Sequence, residues 1–183
     1  GEASIDSWVI PLGVNMPNDL IPDHSHLRSK LVDVADGPIV LFMSRIDPKK
    51  GLDILVLALA RLKDQREFTL IIAGEGADSY EREIRQIVST SGLDNRTRFL
   101  GLIEGDEKWS VLSGADVFVL PSHNENFGVA VAEAMAANLP VVVSDRVAIH
   151  TDVEDAKAGV VTTLAVGAVP RAIHTPLPHP ALR

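Results

Sequence analysis

The chain has no cysteine. That excludes a disulfide framework, thiolate zinc sites, iron–sulfur clusters and thiol catalysis, and it suits a reducing compartment. Long apolar runs are missing too: the longest, Ile54 to Ala60, falls far short of the roughly 18 residues a membrane span requires. The opening residues Gly1-Glu2-Ala3-Ser4-Ile5-Asp6 lack a basic stretch followed by an apolar one, so no secretory leader is expected there. Positive charge is in deficit, with 17 Lys and Arg against 25 Asp and Glu and a formal net charge of −8. That balance is opposite to the footprint of a domain living on nucleic acid or acidic lipid, so nucleic acid is not an expected partner. An anionic ligand would need a local basic cluster.

What is present describes a globular chain. Hydrophobic residues make up 46% and charged residues 23% of 183, with 13 Gly and 11 Pro, which is not a disordered, collagen-like or coiled-coil composition. Such a length forms one domain and buries about 70% of its unfolded surface. Residues 1–37 read as an amino-terminal strand, Trp8 to Leu12, followed by an interdomain linker holding Pro17 and Pro22. From Ile39 to 163 short β-branched runs alternate with helical segments, the pattern of βαβ units and a parallel sheet. Strands are expected at 39–44, 69–73, 97–100, 117–120, 141–144 and 159–162. These runs are apolar on nearly every residue, which suits strands covered on both faces. Helices are expected at 52–63, 80–90, 106–112 and 129–137, the second with Ile84, Ile87 and Val88 on one stripe and with Asp78 or Ser79 as its cap. The expected fold is thus α/β, a doubly wound parallel sheet of about six strands. Residues 164–183, with prolines at 170, 176, 178 and 180, are expected to be an irregular tail.

In that fold ligands sit beyond the carboxyl ends of the strands. Three loops there carry chemistry. After the first strand comes Arg45-Ile46-Asp47-Pro48-Lys49-Lys50-Gly51, three cations where a helix amino end already favours an anion. The alternative is that its lysines are solvated loop charges. After the second strand, Gly74-Glu75-Gly76-Ala77-Asp78-Ser79 begins like a dinucleotide turn but has Ser79 where a third glycine would stand, so a tight strand-to-helix turn explains it equally. After the fourth strand comes Pro121-Ser122-His123-Asn124-Glu125-Asn126-Phe127-Gly128, then a helix whose Glu133 is a carboxylate among small apolar residues. A charge buried there is costly unless a ligand or partner satisfies it. Glu133 stands about 7 Å up the helix from Gly128, so Glu125 and Glu133 can face one ligand. The bland alternative is a solvated Glu125 and a Glu133 paired with a structural arginine. His24-Ser25-His26 lacks a third ligand nearby, and no metal site is assigned. Arg82, Arg85, Arg96 and Arg98 read as surface charge.

The arrangement Glu125-x-Phe127-Gly128 with Glu133 resembles the signature of family 4 (group 1) glycosyltransferases of the GT-B architecture. The Arg45 to Gly51 loop, the Gly74-Glu75-Gly76 turn, Phe99-Leu100-Gly101 and the run Ala115 to Ser122 resemble that family in the same order, over roughly residues 8 to 163. The resemblance implies that residues 38–163 are a carboxyl-terminal, Rossmann-like donor-binding domain facing an acceptor domain that this chain does not contain. By the same carry-over Arg45 and Lys50 hold the donor diphosphate, Glu125 meets the transferred sugar or its phosphate, and Glu133 accepts from the ribose hydroxyls. Asn126, Phe127 and Gly128 meet sugar and phosphate, Gly74 in the turn after the second strand is also implied to bind donor, and Gly101 to Ile103 lies near the base. The partner implied is a nucleotide-diphosphate sugar, with retention of configuration and no obligatory metal. The setting implied is cytoplasmic, with any peripheral membrane contact made through the missing half.

Three departures stand against the family pattern: the absent amino-terminal domain, the missing glycine pair at Ser144-Asp145-Arg146-Val147-Ala148-Ile149, and no closing amphipathic helices after Leu164. The fragment is therefore expected to be inactive alone. Competing readings are a non-catalytic nucleotide-binding module of the same fold, a GT-B epimerase or phosphorylase, and a dinucleotide oxidoreductase domain.

Overall fold

Strands arise where aliphatic runs show no polar alternation, because such segments must be covered on both faces. The computed structural model describes residues 13–17, 27, 37–165 and 167–174. Its strands are β1 (Ile39–Met43), β2 (Thr69–Ala73), β3 (Thr97–Gly101), β4 (Val117–Leu120), β5 (Val141–Ser144) and β6 (Gly159–Thr162). They form one sheet in the order β3-β2-β1-β4-β5-β6, with every pairing parallel. Every residue of β1, β2, β4 and β5 is buried, whereas most of β3 and β6, at the edges, is only half-buried. Phe42 and Phe118 are wholly enclosed at the centre. Burying each such side chain contributes about 1.5–3 kcal/mol.

The helices are α1 (Leu52–Ala60), α2 (Asp78–Thr90), α3 (Gly105–Gly114), α4 (Val129–Ala136), α5 (His150–Asp155) and α6 (Ala168–His174). In α2 the expected stripe faces inward: Ile84 and Val88 are buried, and Ile87 packs at the margin of the core. Helix α1 stops short of residue 63 because Arg61 and Leu62 donate to Ala58 and Leu59, three residues back, tightening the last turn out of α geometry. The cap of α2 is neither Asp78 nor Ser79. The helix begins at Asp78, two residues before the expected start, its cap is the extended Ala77, and the Glu81 carboxylate reaches back to the Gly76 N–H at 2.6 Å. Arg85 and Arg96 do more than face solvent. The Arg85 guanidinium covers the Phe99 ring at 3.9 Å, and Arg96 bonds Glu67 at 3.1 Å and the Arg66 carbonyl.

The expectation of an irregular tail from residue 164 is corrected over Ala168–His174, which is helical and packs against β6 and α1. Pro170 is the third residue of α6, where its missing N–H is one of the first four that have no partner within a helix. Val169 and Ala172 anchor the helix at 1% and 5% exposure. The expected strand at Trp8 to Leu12 and nearly all of the linker lie outside the described residues.

The chain winds outward from β1 through β2 to β3, then crosses back to lay β4 on the other side of β1. That reversal is the switch point at which open α/β sheets bind ligands, and it sets the loops after β1 and β4 side by side.

Candidate functional site

The loop after β1 is short and held by its own side chains. Residues Pro48–Lys50 make a 3-10 turn whose cap, Asp47, accepts the Lys49 N–H at 2.8 Å. Gly51 follows with φ +69°, and a Cβ there would stand 2.0 Å from the Pro121 carbonyl oxygen. Only glycine permits this approach of the two loops. The consequence is electrostatic: the Lys50 ammonium donates to the Glu125 carboxylate, with the two side chains 12% and 20% exposed. Both loops are further tied through the Lys49 carbonyl, which accepts the His123 N–H at 2.7 Å.

A cleft of about 330 Å³ opens at the carboxyl ends of β1 to β3, and neither Lys50 nor Glu125 is among the residues that line it. Arg45, Gly74, Ile103 and Glu133 line it, together with Glu75, Leu102 and Lys108. Lys108, on the first turn of α3, donates to Glu133 at 2.6 Å, the side chains 25% and 15% exposed. Neither half-buried carboxylate, Glu125 or Glu133, is therefore left uncompensated. Arg45 is exposed and makes no ion pair among the described residues, so its charge is open to a ligand. Glu75 leans toward the Leu102 N–H at 3.5 Å, closing the far wall.

The remaining expected site residues fall into place unevenly. Gly74 donates its N–H to the Gly101 carbonyl at 2.7 Å, joining the turn after β2 to the end of β3. Gly128 starts α4 with φ +93°, and its missing Cβ leaves room for Val147, which a methyl would meet at 2.9 Å. Its glycine is thus required by packing within the chain. Asn126 is exposed and Phe127 packs against the core; neither lines the cleft. The arginine imagined for Glu133 is instead Lys108, which the sequence reading missed. A signal was there: a lysine on a helix's first turn opposes the dipole, so it calls for a carboxylate partner.

Among the described residues no three His, Asp or Glu side chains gather as a metal ion would need, and no helix is long and apolar enough to cross a membrane. Away from the cleft, Tyr80 approaches Asp53 at 3.5 Å, and burial, reinforced by the Asp53 charge, pushes its phenol up to about 12.

The model of the glycosyl transferases group 1 matches residues 23–165. The chain belongs to that family. A D-inositol 3-phosphate glycosyltransferase of Geodermatophilus obscurus is 32% identical over 160 residues, covering 83% of this chain and 36% of its own length. The Anabaena protein HepE, solved in complex with UDP-glucose, superposes with a TM-score of 0.74 at 30% identity, covering 83% of this chain and 42% of HepE. The C-terminal domain of a glycosyl transferase group 1 family protein (LpcC) from Francisella tularensis shares the fold, with a TM-score of 0.67 at 24% identity over 80% of this chain and 76% of that one. This group 1 glycosyltransferase chain therefore has the Rossmann-like sheet of GT-B enzymes. The matched stretch covers less than half of either of the first two relatives, 36% and 42% of their lengths.

Proposed function

We propose that the chain is the donor-binding, carboxyl-terminal half of a retaining family 4 glycosyltransferase, and that its cleft takes a nucleotide-diphosphate sugar. The observation that carries this reading is a cleft at the carboxyl ends of the strands lined by Arg45 and Glu133, with the loops after β1 and β4 joined at the switch point by the Lys50–Glu125 pair. Uridine is the first base to try, since HepE, at 30% identity, is seen with UDP-glucose.

Each residue has a physical task. As a sugar leaves a nucleotide diphosphate, negative charge grows on the departing phosphate oxygen, and preorganised cations stabilise that state beyond the ground state. Arg45 and Lys50 supply those cations, and each charge-assisted hydrogen bond contributes about 1.5–3 kcal/mol. No metal is needed for that task. Glu133 accepts from the ribose hydroxyls while Lys108 neutralises it, so the carboxylate need not be bare before the donor arrives. Glu125 orients Lys50 and meets the sugar side of the diphosphate; no nucleophilic role is assigned to it. The acceptor site and the remaining groups near the anomeric carbon belong to the partner domain, so this chain alone should bind donor without transferring it. A cysteine-free domain of this kind suits the reducing cytoplasm.

An amide-shift titration with UDP-glucose tests the reading. Perturbations gathered on Arg45, Lys50, Leu102, Ile103 and Glu133 support it. Saturable shifts elsewhere, with these residues unmoved, contradict it.

A further inference from the structure

Two buried serines occupy places where an aliphatic residue would suit the surroundings better. Ser144 ends β5, and Ser122 lies just beyond β4; both are fully buried, and the rest of both strands is Val, Phe and Leu. A buried hydroxyl costs desolvation unless it is bonded. Here each bond runs from one loop to another. Ser122 Oγ donates to the Lys49 carbonyl at 2.8 Å, with the Asn124 carbonyl as its second acceptor at 3.1 Å. Ser144 Oγ donates to the Ser122 carbonyl and lies 3.4 Å from the Arg146 N–H, which it accepts. From the same loop after β5, the Arg146 carbonyl accepts the Glu125 N–H at 3.1 Å, and the Ala148 N–H donates back to the Glu125 carbonyl at 3.0 Å.

The two hydroxyls thus form a ladder across the loops after β1, β4 and β5. Its first rung fixes the peptide immediately before Lys50, and its last helps hold the loop that pins the backbone of Glu125. We infer that Ser122 and Ser144 are positioning residues that aim the Lys50 ammonium at the diphosphate, acting through the Lys49 carbonyl and through Glu125. A strand end needing only volume would be served by Ala or Val at lower desolvation cost.

This inference rests on the reading of Lys50 as a diphosphate ligand, and the test separates the two. UDP and uridine are titrated into this chain, and into its Ser122→Ala, Ser144→Ala and Ile71→Val variants, by amide shifts, with thermal unfolding recorded for each. Ile71 is buried in β2, outside the loops, and serves as a control for loss of stability alone. The UDP-to-uridine affinity ratio should fall by about fivefold or more in each serine variant, uridine affinity should stay within about twofold, and Ile71→Val should keep the wild-type ratio. Serine variants with the wild-type ratio overturn the inference and leave the reading of Lys50 intact. An equal fall in Ile71→Val also overturns it, by making the effect one of stability. A wild-type chain with no preference for UDP over uridine removes the reading of Lys50, and the inference falls with it.

Discussion

Replacing Lys50 by alanine separates the two roles that its ammonium holds. In the folded chain it faces Glu125, the side chains 12% and 20% exposed. Breaking a fully buried pair by removing one partner costs about 3–5 kcal/mol, and an exposed pair contributes about 0–1. With a fifth or less of each side chain open, Lys50→Ala should lower stability by about 2 kcal/mol, read as a shift of the urea midpoint at constant slope. Adding Glu125→Gln removes the stranded carboxylate, so the double variant should recover part of that loss. Binding follows a different rule. A charge-assisted bond of about 1.5–3 kcal/mol corresponds to about 10- to 150-fold in affinity, so UDP should weaken by that factor while uridine stays nearly unchanged. Glu125→Gln should not restore it, since the diphosphate has lost its cation rather than gained a repulsive neighbour. Equal UDP-to-uridine ratios in wild type and Lys50→Ala would refute the reasoning and leave the basic loop as solvated charge.

Three further outcomes are expected. Lys108→Met should destabilise the chain by about 1–3 kcal/mol in urea unfolding, because Glu133, 15% exposed, loses its counter-charge; an unchanged midpoint would show that solvent already satisfies Glu133. Gly51→Ala should cost about 2–5 kcal/mol, the sum of a left-handed alanine and a methyl driven against the Pro121 carbonyl oxygen at 2.0 Å; a midpoint equal to wild type would mean the two loops move apart freely. Tyr80 is the only tyrosine, so tyrosinate absorbance titrates it alone. Its midpoint should lie near 12 against an ordinary 10, and Asp53→Asn should lower it. Because the folded chain holds the phenolic proton more tightly than the unfolded one, stability from this group is intact below pH 10 and declines as pH rises toward 12. A midpoint near 10 would contradict the packing of α2 on α1.

The sheet was legible because its strands are buried on both faces, and aliphatic runs such as Ile39 to Met43 have few other structures open to them. The site loops were legible for the same reason, since strand ends say where ligands can sit. Short-range structure was harder to read. Helix α5 buries only Val153, too little for a periodic stripe to show, and α6 was hidden by reading Pro170 as a breaker rather than as a first-turn residue. What the sequence could not show were partners brought together by the crossover. Lys50 and Glu125 lie 75 residues apart and Lys108 and Glu133 lie 25 apart, so each carboxylate was visible without its lysine. A packing demand at Gly128 was hidden likewise, because Val147, which a methyl there would meet, comes from the next loop.

Calorimetric titration of this chain with UDP, GDP and ADP at moderate salt, beside its Glu133→Gln variant, tests the donor-binding reading most directly. One nucleotide should bind with about −4 to −6 kcal/mol, in the tens of micromolar to millimolar range, and the variant should weaken it markedly. Binding of none of the three, or equal binding by wild type and Glu133→Gln, would contradict a donor site built around that carboxylate.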